Sequence, residues 1–284
     1  MTNAMKTHVQ TNGLGRGTVA AGIAATFALP LYLALASVFK TQDQILYHPM
    51  DLPSPFTLDN LWQVFNRPDQ LIFRSLGTSL VITVVSVLCI VFLSSITGYY
   101  IARQNSRVTQ FLQVLFLAGL MIPPQVTLIP VVRVFKALGL MGTFQGVALV
   151  FIGGGLLSFA IFVYTGFVKN IPRELEEAAV IDGAGEFRLF WQIVFPLMRP
   201  ATATVTIFLS LWTWNEFLIP LLILGPARGM TVTTGIYIAL GEASSIDYGQ
   251  MFAMMLLSTL PMLIFFFALQ KEFIAGLTAG SLKG

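Results

Sequence analysis

Carboxylates are scarce in this chain and unevenly placed. Of its thirteen acidic residues, five fall between Glu174 and Glu186, inside the stretch from Asn170 to Pro196. Carboxylates crowded onto a short polar stretch suit ion pairing with a basic surface on a soluble partner. A sixth, Glu216, is the only formal charge within an otherwise uninterrupted apolar run. A charge at a bilayer centre costs about 2.5–3.5 kcal/mol on insertion scales, so it faces a cavity or a partner. Beside it, Trp212, Trp214 and Asn215 complete the pattern Trp-x-Trp-Asn-Glu-Phe. Indole faces, an amide and a carboxylate can meet the C–H faces and hydroxyls of a sugar. The same groups can hydrogen-bond a neighbouring helix or a second chain, and Glu216 alone could carry a coupled proton.

The elements that must position the acidic stretch read helix, break, helix. Pro172 presets φ for a first turn, Asn170 offers a capping oxygen, and Glu174, Glu176 and Glu177 lie at the positive end of the helix dipole. Leu175, Ala178, Ala179 and Asp182 follow helical spacing as one small, mostly apolar face. Gly183 ends the helix, since glycine takes a left-handed cap at little cost. A second helix from about Glu186 to Val194 carries Phe187, Phe190, Trp191 and Val194 on one side and stops at Pro196. From the residues alone, this is either an amphipathic hairpin lying on a membrane or a docking element for another protein.

Composition settles the solvent. Hydrophobic residues make up 56% of the 284 and charged residues 10%, with a mean hydropathy of +0.79, which is more apolar surface than a soluble domain can bury. The net charge of +3 comes with no basic cluster, so nucleic acid is excluded as a partner. Cys89 is the one cysteine and sits in an apolar run, which rules out an internal disulfide or a Cys-x-x-Cys metal site. No Gly-x-x-x-x-Gly-Lys-Ser/Thr phosphate loop occurs, and no His, Cys and carboxylate cluster lies in the apolar runs. The chain is therefore expected to be neither an ATP motor nor an enzyme, with no catalytic residue and no metal site.

Six apolar runs are long enough to cross a bilayer, at about 18–39, 75–102, 108–132, 144–168, 200–224 and 248–270. Ala34-Leu35-Ala36 imitates a signal-peptidase site, but the run around it exceeds a usual signal core, so a span is expected there. Residues 1–17 form a polar tail, 18–270 the membrane domain with the acidic loop at 169–199, and 271–284 a second tail. Pro123-Pro124 and Pro130 must kink or break the third run. Gly153-Gly154-Gly155 invites either close helix approach or plain flexibility in the fourth. Trp62, with Leu58, Leu61 and Phe65, marks an interfacial helix between the first two runs, and His48 nearby is a solvated loop residue. With the N-terminus inside, ten lysines and arginines lie on the inner side and six on the outer, which satisfies the positive-inside rule.

The spacing of Glu177-Ala178-Ala179, Gly183 three residues on, then Ile193 and Pro196, resembles the cytoplasmic signature loop of the transmembrane subunits of bacterial ABC importers. Phe195 stands where that pattern has leucine. Asp182 before Gly183, Ile171-Pro172 upstream and Gly276 through Gly284 resemble the carbohydrate-uptake branch, the maltose-type permeases, and the likeness runs from about Phe27 to Gly284. The resemblance implies an all-α integral membrane fold of six transmembrane helices with a cytoplasmic coupling helix. Glu177, Ala178, Ala179, Asp182, Gly183, Ile193 and Pro196 would couple it to ATPase subunits, and Trp212, Trp214, Asn215 and Glu216 would lie on the substrate pathway. It implies a second homologous permease, two ATPase subunits that hold ATP and magnesium, and an extracytoplasmic solute-binding protein as partners. It also implies a bacterial inner membrane location with both termini cytoplasmic, and a C-terminal tail reaching between the ATPase subunits. The competing expectation is an ion- or proton-coupled secondary transporter that uses Glu216.

Overall fold

The computed structural model describes residues 4–225, 229–242 and 246–281, with the backbone alone at 4–16, 242 and 272–281. Among these residues all regular structure is helical. Three helices are each long and apolar enough to cross a membrane: the Gly17–Val38 part of α1 (Ala4–Val38), α4 (Leu71–Arg103), and the Tyr248–Lys271 part of α15 (Tyr248–Ser281). The remaining apolar length is broken. Helices α5 (Arg107–Met121) and α6 (Pro124–Ala137) meet at 101°, and α7 (Phe144–Gly153) and α8 (Gly155–Val168) at 45°. The chain divides into two compact units, Met1–Gln70 with Ala239–Leu257, and Leu71–Ile238 with Ser258–Gly284.

In the first unit, α2 (Gln42–Tyr47) and α3 (Asp59–Phe65) follow α1. Asn60 is buried and its amide donates to the carbonyls of Val38 and Lys40, both at 2.8 Å. Lys40 is buried in turn and its ammonium donates to the carbonyls of His48 and Pro49 at 3.1 and 2.7 Å. Leu58, Trp62 and Phe65 are exposed. His48 is a solvent-facing residue beside Asp51, at 3.4 Å.

The second unit is organised on α4, which packs most extensively on α8. Ser75, Ser94 and Ser95 turn back on their own helix, as Ser75 Oγ does to the Leu71 carbonyl at 2.7 Å, while Ser79 Oγ accepts from the Val232 amide at 2.9 Å. The close approach between helices is made at Gly98. A Cβ there would stand 2.7 Å from Tyr164 Cβ and 3.1 Å from the Thr165 amide. In Gly153-Gly154-Gly155 the expected close approach is confined to the last glycine, where an added Cβ would lie 3.7 Å from the Gly119 carbonyl of α5 (Arg107–Met121); nothing lies near Gly153, and at Gly154 the triplet bends the chain, where an added Cβ would come 2.9 Å from the Val150 carbonyl. The paired prolines break the third run as expected, with Pro124 opening α6 and Pro130 carried inside it.

After α8 come α9 (Glu174–Ile181), α10 (Glu186–Arg188), a π-helical turn over Leu189–Val194, α11 (Phe195–Leu197), α12 (Arg199–Asn215), α13 (Leu218–Leu224) and α14 (Val232–Glu242). Tyr164 Oη lies 3.0 Å from Thr202 Oγ1 and joins α8 to α12. The core of this unit gathers Val87, Ile90, Tyr164, Phe190, Val194 and Leu209, so the second arm of the acidic stretch is packed into the bundle rather than laid upon it. The expected tail at 271–284 is helical to Ser281, and residues 226–228, 243–245 and 282–284 lie outside the described residues.

Candidate functional site

Helix α9 ends as its sequence dictates. Gly183 has φ +83°, its amide donates to the Val180 carbonyl at 3.0 Å, and the Ala184 amide donates to the Ala179 carbonyl at 2.9 Å. That pair of bonds closes a Schellman cap, which requires a left-handed residue at Gly183. The start of the helix differs from expectation. Arg173 is the N-cap residue, its carbonyl accepting from the amides of Glu176 and Glu177 at 2.9 and 3.0 Å. Asn170 instead donates backward to the Gly166 carbonyl at 2.9 Å. The amide thus finishes α8 rather than opening α9.

The two adjacent glutamates are put to opposite uses. Glu176 is held by Arg103 at the end of α4, with Arg103 Nε donating to Oε1 at 2.6 Å and Nη2 2.5 Å from the same oxygen. Tyr99 Oη donates to Oε2 at 2.9 Å, and Arg103 Nη2 also donates to the Ile171 carbonyl at 3.0 Å. Only 11% of the Arg103 side chain and 12% of the Glu176 side chain remain exposed. Glu177, one position on, is exposed.

The outward face of α9 is Glu174, Glu177, Ala178 and Ile181, all exposed and spaced i, i+3, i+4, i+7. Ile181 is 85% exposed, and Phe187, which opens the second arm, is 80% exposed. The expected small face is therefore split, because Ala179 is buried in the core while Ala178 faces out; Leu175 and Asp182 are also exposed. Ala178 alone of the two alanines can admit a partner closely.

The second arm also differs from a single helix ended by Pro196. After three α-helical residues it widens into the π turn, and Pro196 lies within α11. The chain bends 73° before α12, at Met198, which is buried. Proline has no N–H for the ladder, and local widening accommodates such a gap. Phe187 leaves the predicted apolar side for solvent, while Phe190, Trp191 and Phe195 form an aromatic cluster with centroid spacings of 4.9 and 5.1 Å. Tyr99 and Phe92 of α4 stack on it at 5.3 and 5.7 Å. Ile193 and Pro196 are partly buried and serve this packing side of the hairpin. Sequence reasoning missed Tyr99, Phe92 and Arg103, which lie 68 residues or more upstream of the partners they hold.

The Trp-x-Trp-Asn-Glu-Phe patch is not brought together as one surface. Trp214 is buried and its indole N–H donates to the Ser258 carbonyl at 3.0 Å. Trp212 is 56% exposed on the opposite side, and the Asn215 amide donates back to the Leu211 carbonyl at 2.7 Å. Glu216 stands at the end of α12, where backbone ψ of 131° leaves the helix. Its Oε1 accepts from the amides of Leu218 and Ile219 at 3.0 and 3.3 Å and so caps α13. The carboxylate expected in mid-span is thus the residue that restarts a broken helix. Among the described residues no group of three or more His, Cys, Asp and Glu could hold a metal ion.

A family described as "Binding-protein-dependent transport system inner membrane component" matches residues 90–278. The chain is 30% identical over 254 residues to the probable starch degradation products transport system permease protein AmyC of Thermoanaerobacterium thermosulfurigenes, covering 89% of this chain and 91% of that one. It is 31% identical over 271 residues to the melibiose/raffinose/stachyose import permease protein MelC of Bacillus subtilis, covering 94% and 95%. To the multiple sugar-binding transport system permease protein MsmG of Streptococcus mutans it is 34% identical over 267 residues, covering 90% and 91%. The fold matches a chain in the crystal structure of a bacterial ABC transporter involved in the import of the acidic polysaccharide alginate. That likeness has a TM-score of 0.81 at 18% identity, covering 93% of this chain and 97% of the other.

Proposed function

Because the chain belongs to the binding-protein-dependent transport system inner membrane component family, we propose that it is the permease subunit of an ABC importer for a sugar or related polyhydroxylated solute. The solute class rests on the sugar systems named for its relatives. This reading takes as its six spans α1, α4, the bent pairs α5–α6 and α7–α8, then α12 continued by α13, and α15. Both termini and the α9 hairpin face the cytoplasm, in accord with the lysine and arginine distribution. The partners are a second homologous permease, two ATPase subunits that bind and hydrolyse ATP with magnesium, and an extracytoplasmic solute-binding protein.

One observation carries the mechanism: the inner face of α9 is fixed to α4 by Arg103 and Glu176, while its outer face offers Glu174, Glu177, Ala178 and Ile181 to another protein. A helix tied to a membrane span on one side and bound by a motor on the other transmits closure of the motor as a tilt of the span. The chain needs no nucleotide site of its own. Asp182 and Gly183 end the lever without strain, and Ile193 and Pro196 root its second arm. The exposure of Trp212 on α12 supports it as the member of the tryptophan patch that meets solute or the second permease, while Trp214, Asn215 and Glu216 bond within the chain. An ion-coupled reading loses its carboxylate to the capping of α13.

The test is uptake by the assembled transporter with Gly183→Val. A β-branched residue at φ +83° carries about 1–2 kcal/mol of backbone strain, and no atom lies within 4 Å of where its Cβ would sit. The permease should insert normally while ATP-driven uptake is lost. Uptake equal to wild type would refute the lever.

A further inference from the structure

The second unit contains a cavity of about 270 Å³ at the polar ends of α4, α5 and α8. Three cations line it, Arg103, Lys169 and Arg173, together with amides that include Asn105, Gln110 and Gln113. No carboxylate is in the wall. Arg103 is neutralised by Glu176, whereas Lys169 has no ion-pair partner among the described residues, and Arg173 donates only to the Arg103 carbonyl, at 3.3 Å. The excess is therefore positive, and it is unspent. Gln110 Nε2 donates to Asn105 Oδ1 at 3.2 Å, which leaves the Asn105 amide hydrogens as donors.

Location selects the anion. Each of the three helices is an apolar segment of the bilayer, and the cavity opens where Arg103, Asn105 and Lys169 mark the change to polar sequence. Lysine and arginine clusters between such helix ends recognise anionic headgroups. The volume lies just below the roughly 300–1,000 Å³ of pockets for drug-sized ligands, and it suits a phosphate with a small headgroup.

We propose that this cavity binds the phosphodiester of an anionic phospholipid from the adjoining leaflet, with Lys169 and Arg173 as its charge partners and the Asn105 and Gln113 amides as donors. The bound phosphate sits at the root of the lever, because Arg173 caps α9 and Arg103 holds Glu176. The proposal rests on the permease reading for its membrane placement. Its test needs no solute, so loss of lipid binding and loss of uptake are separate results.

The complete transporter is placed in nanodiscs of phosphatidylcholine with phosphatidylglycerol, then extracted, and retained lipid is counted by native mass spectrometry. Wild type should retain phosphatidylglycerol over phosphatidylcholine. Lys169→Gln with Arg173→Gln should weaken retention about tenfold, as expected for lost charge-assisted bonds. Lys169→Arg with Arg173→Lys, and Lys271→Gln away from the cavity, should retain it. Equal retention by the Gln variant overturns the proposal. So does displacement of the lipid by millimolar inorganic phosphate, which would assign the site to a soluble anion.

Discussion

Arg103 and Glu176 are joined across 73 residues of sequence by two contacts to one carboxylate oxygen, at 2.5 and 2.6 Å. The pair makes the hairpin an extension of α4, since Tyr99 of the same helix grips the other oxygen.

Glu176→Gln removes the charge that balances a nearly buried guanidinium. Losing one partner of such a pair costs about 3–5 kcal/mol, much of it for the ion left behind. Thermal unfolding of the purified permease should shift down, and protease cleavage within 169–199 should speed up. Arg103→Gln combined with Glu176→Gln should recover most of the stability and little of the uptake.

Glu177→Lys should behave in the opposite way. The side chain is exposed and forms no hydrogen bond or ion pair among the described residues, so stability should stay within about 0.5 kcal/mol of wild type. Uptake should fall at least about tenfold, the consequence of one reversed ionic contact. Paired uptake and melting measurements separate the two glutamates.

Gly98→Val should prevent α4 and α8 from meeting, and even Gly98→Ala should cost about 1–3 kcal/mol by overpacking. Gly77→Ala, on the same helix with nothing within 4 Å, is the comparison and should be nearly neutral. Detergent-resistant yield and melting temperature report both.

Trp214→Phe removes the bond to the Ser258 carbonyl and should destabilise by about 1 kcal/mol. Trp212→Ala should leave melting unchanged and lower uptake, since the ring is exposed. A larger stability loss at Trp212 than at Trp214 would contradict the assignment of the two rings.

How much of this was legible in the sequence depended on how local the cause was. The Gly183 cap, the acidic first turn of α9 and the break at Pro123-Pro124 follow from backbone rules acting within a few residues, and all three are present. The two sides of α9 were not legible, because Ala178 and Ala179 are alike in chemistry and only the packing of the core against Ala179 distinguishes them. The same holds for Glu176 and Glu177, whose division depends on Arg103. Gly98 carried a faint signal in its small-residue neighbourhood, Ser94 to Gly98, whereas of the triple glycine only Gly155 meets a neighbouring helix, and less tightly than Gly98 does. Glu216 was misplaced because an apolar run reads as unbroken whether or not the helix inside it restarts.

The central claim is that the outer face of α9 touches a nucleotide-hydrolysing subunit. A photoreactive amino acid placed at Ile181, which is 85% exposed, should form an adduct with the ATPase subunit in the assembled transporter, in greater yield when ATP is bound than without it. Adducts with lipid alone, or labelling of that position from the extracytoplasmic side, would contradict the account.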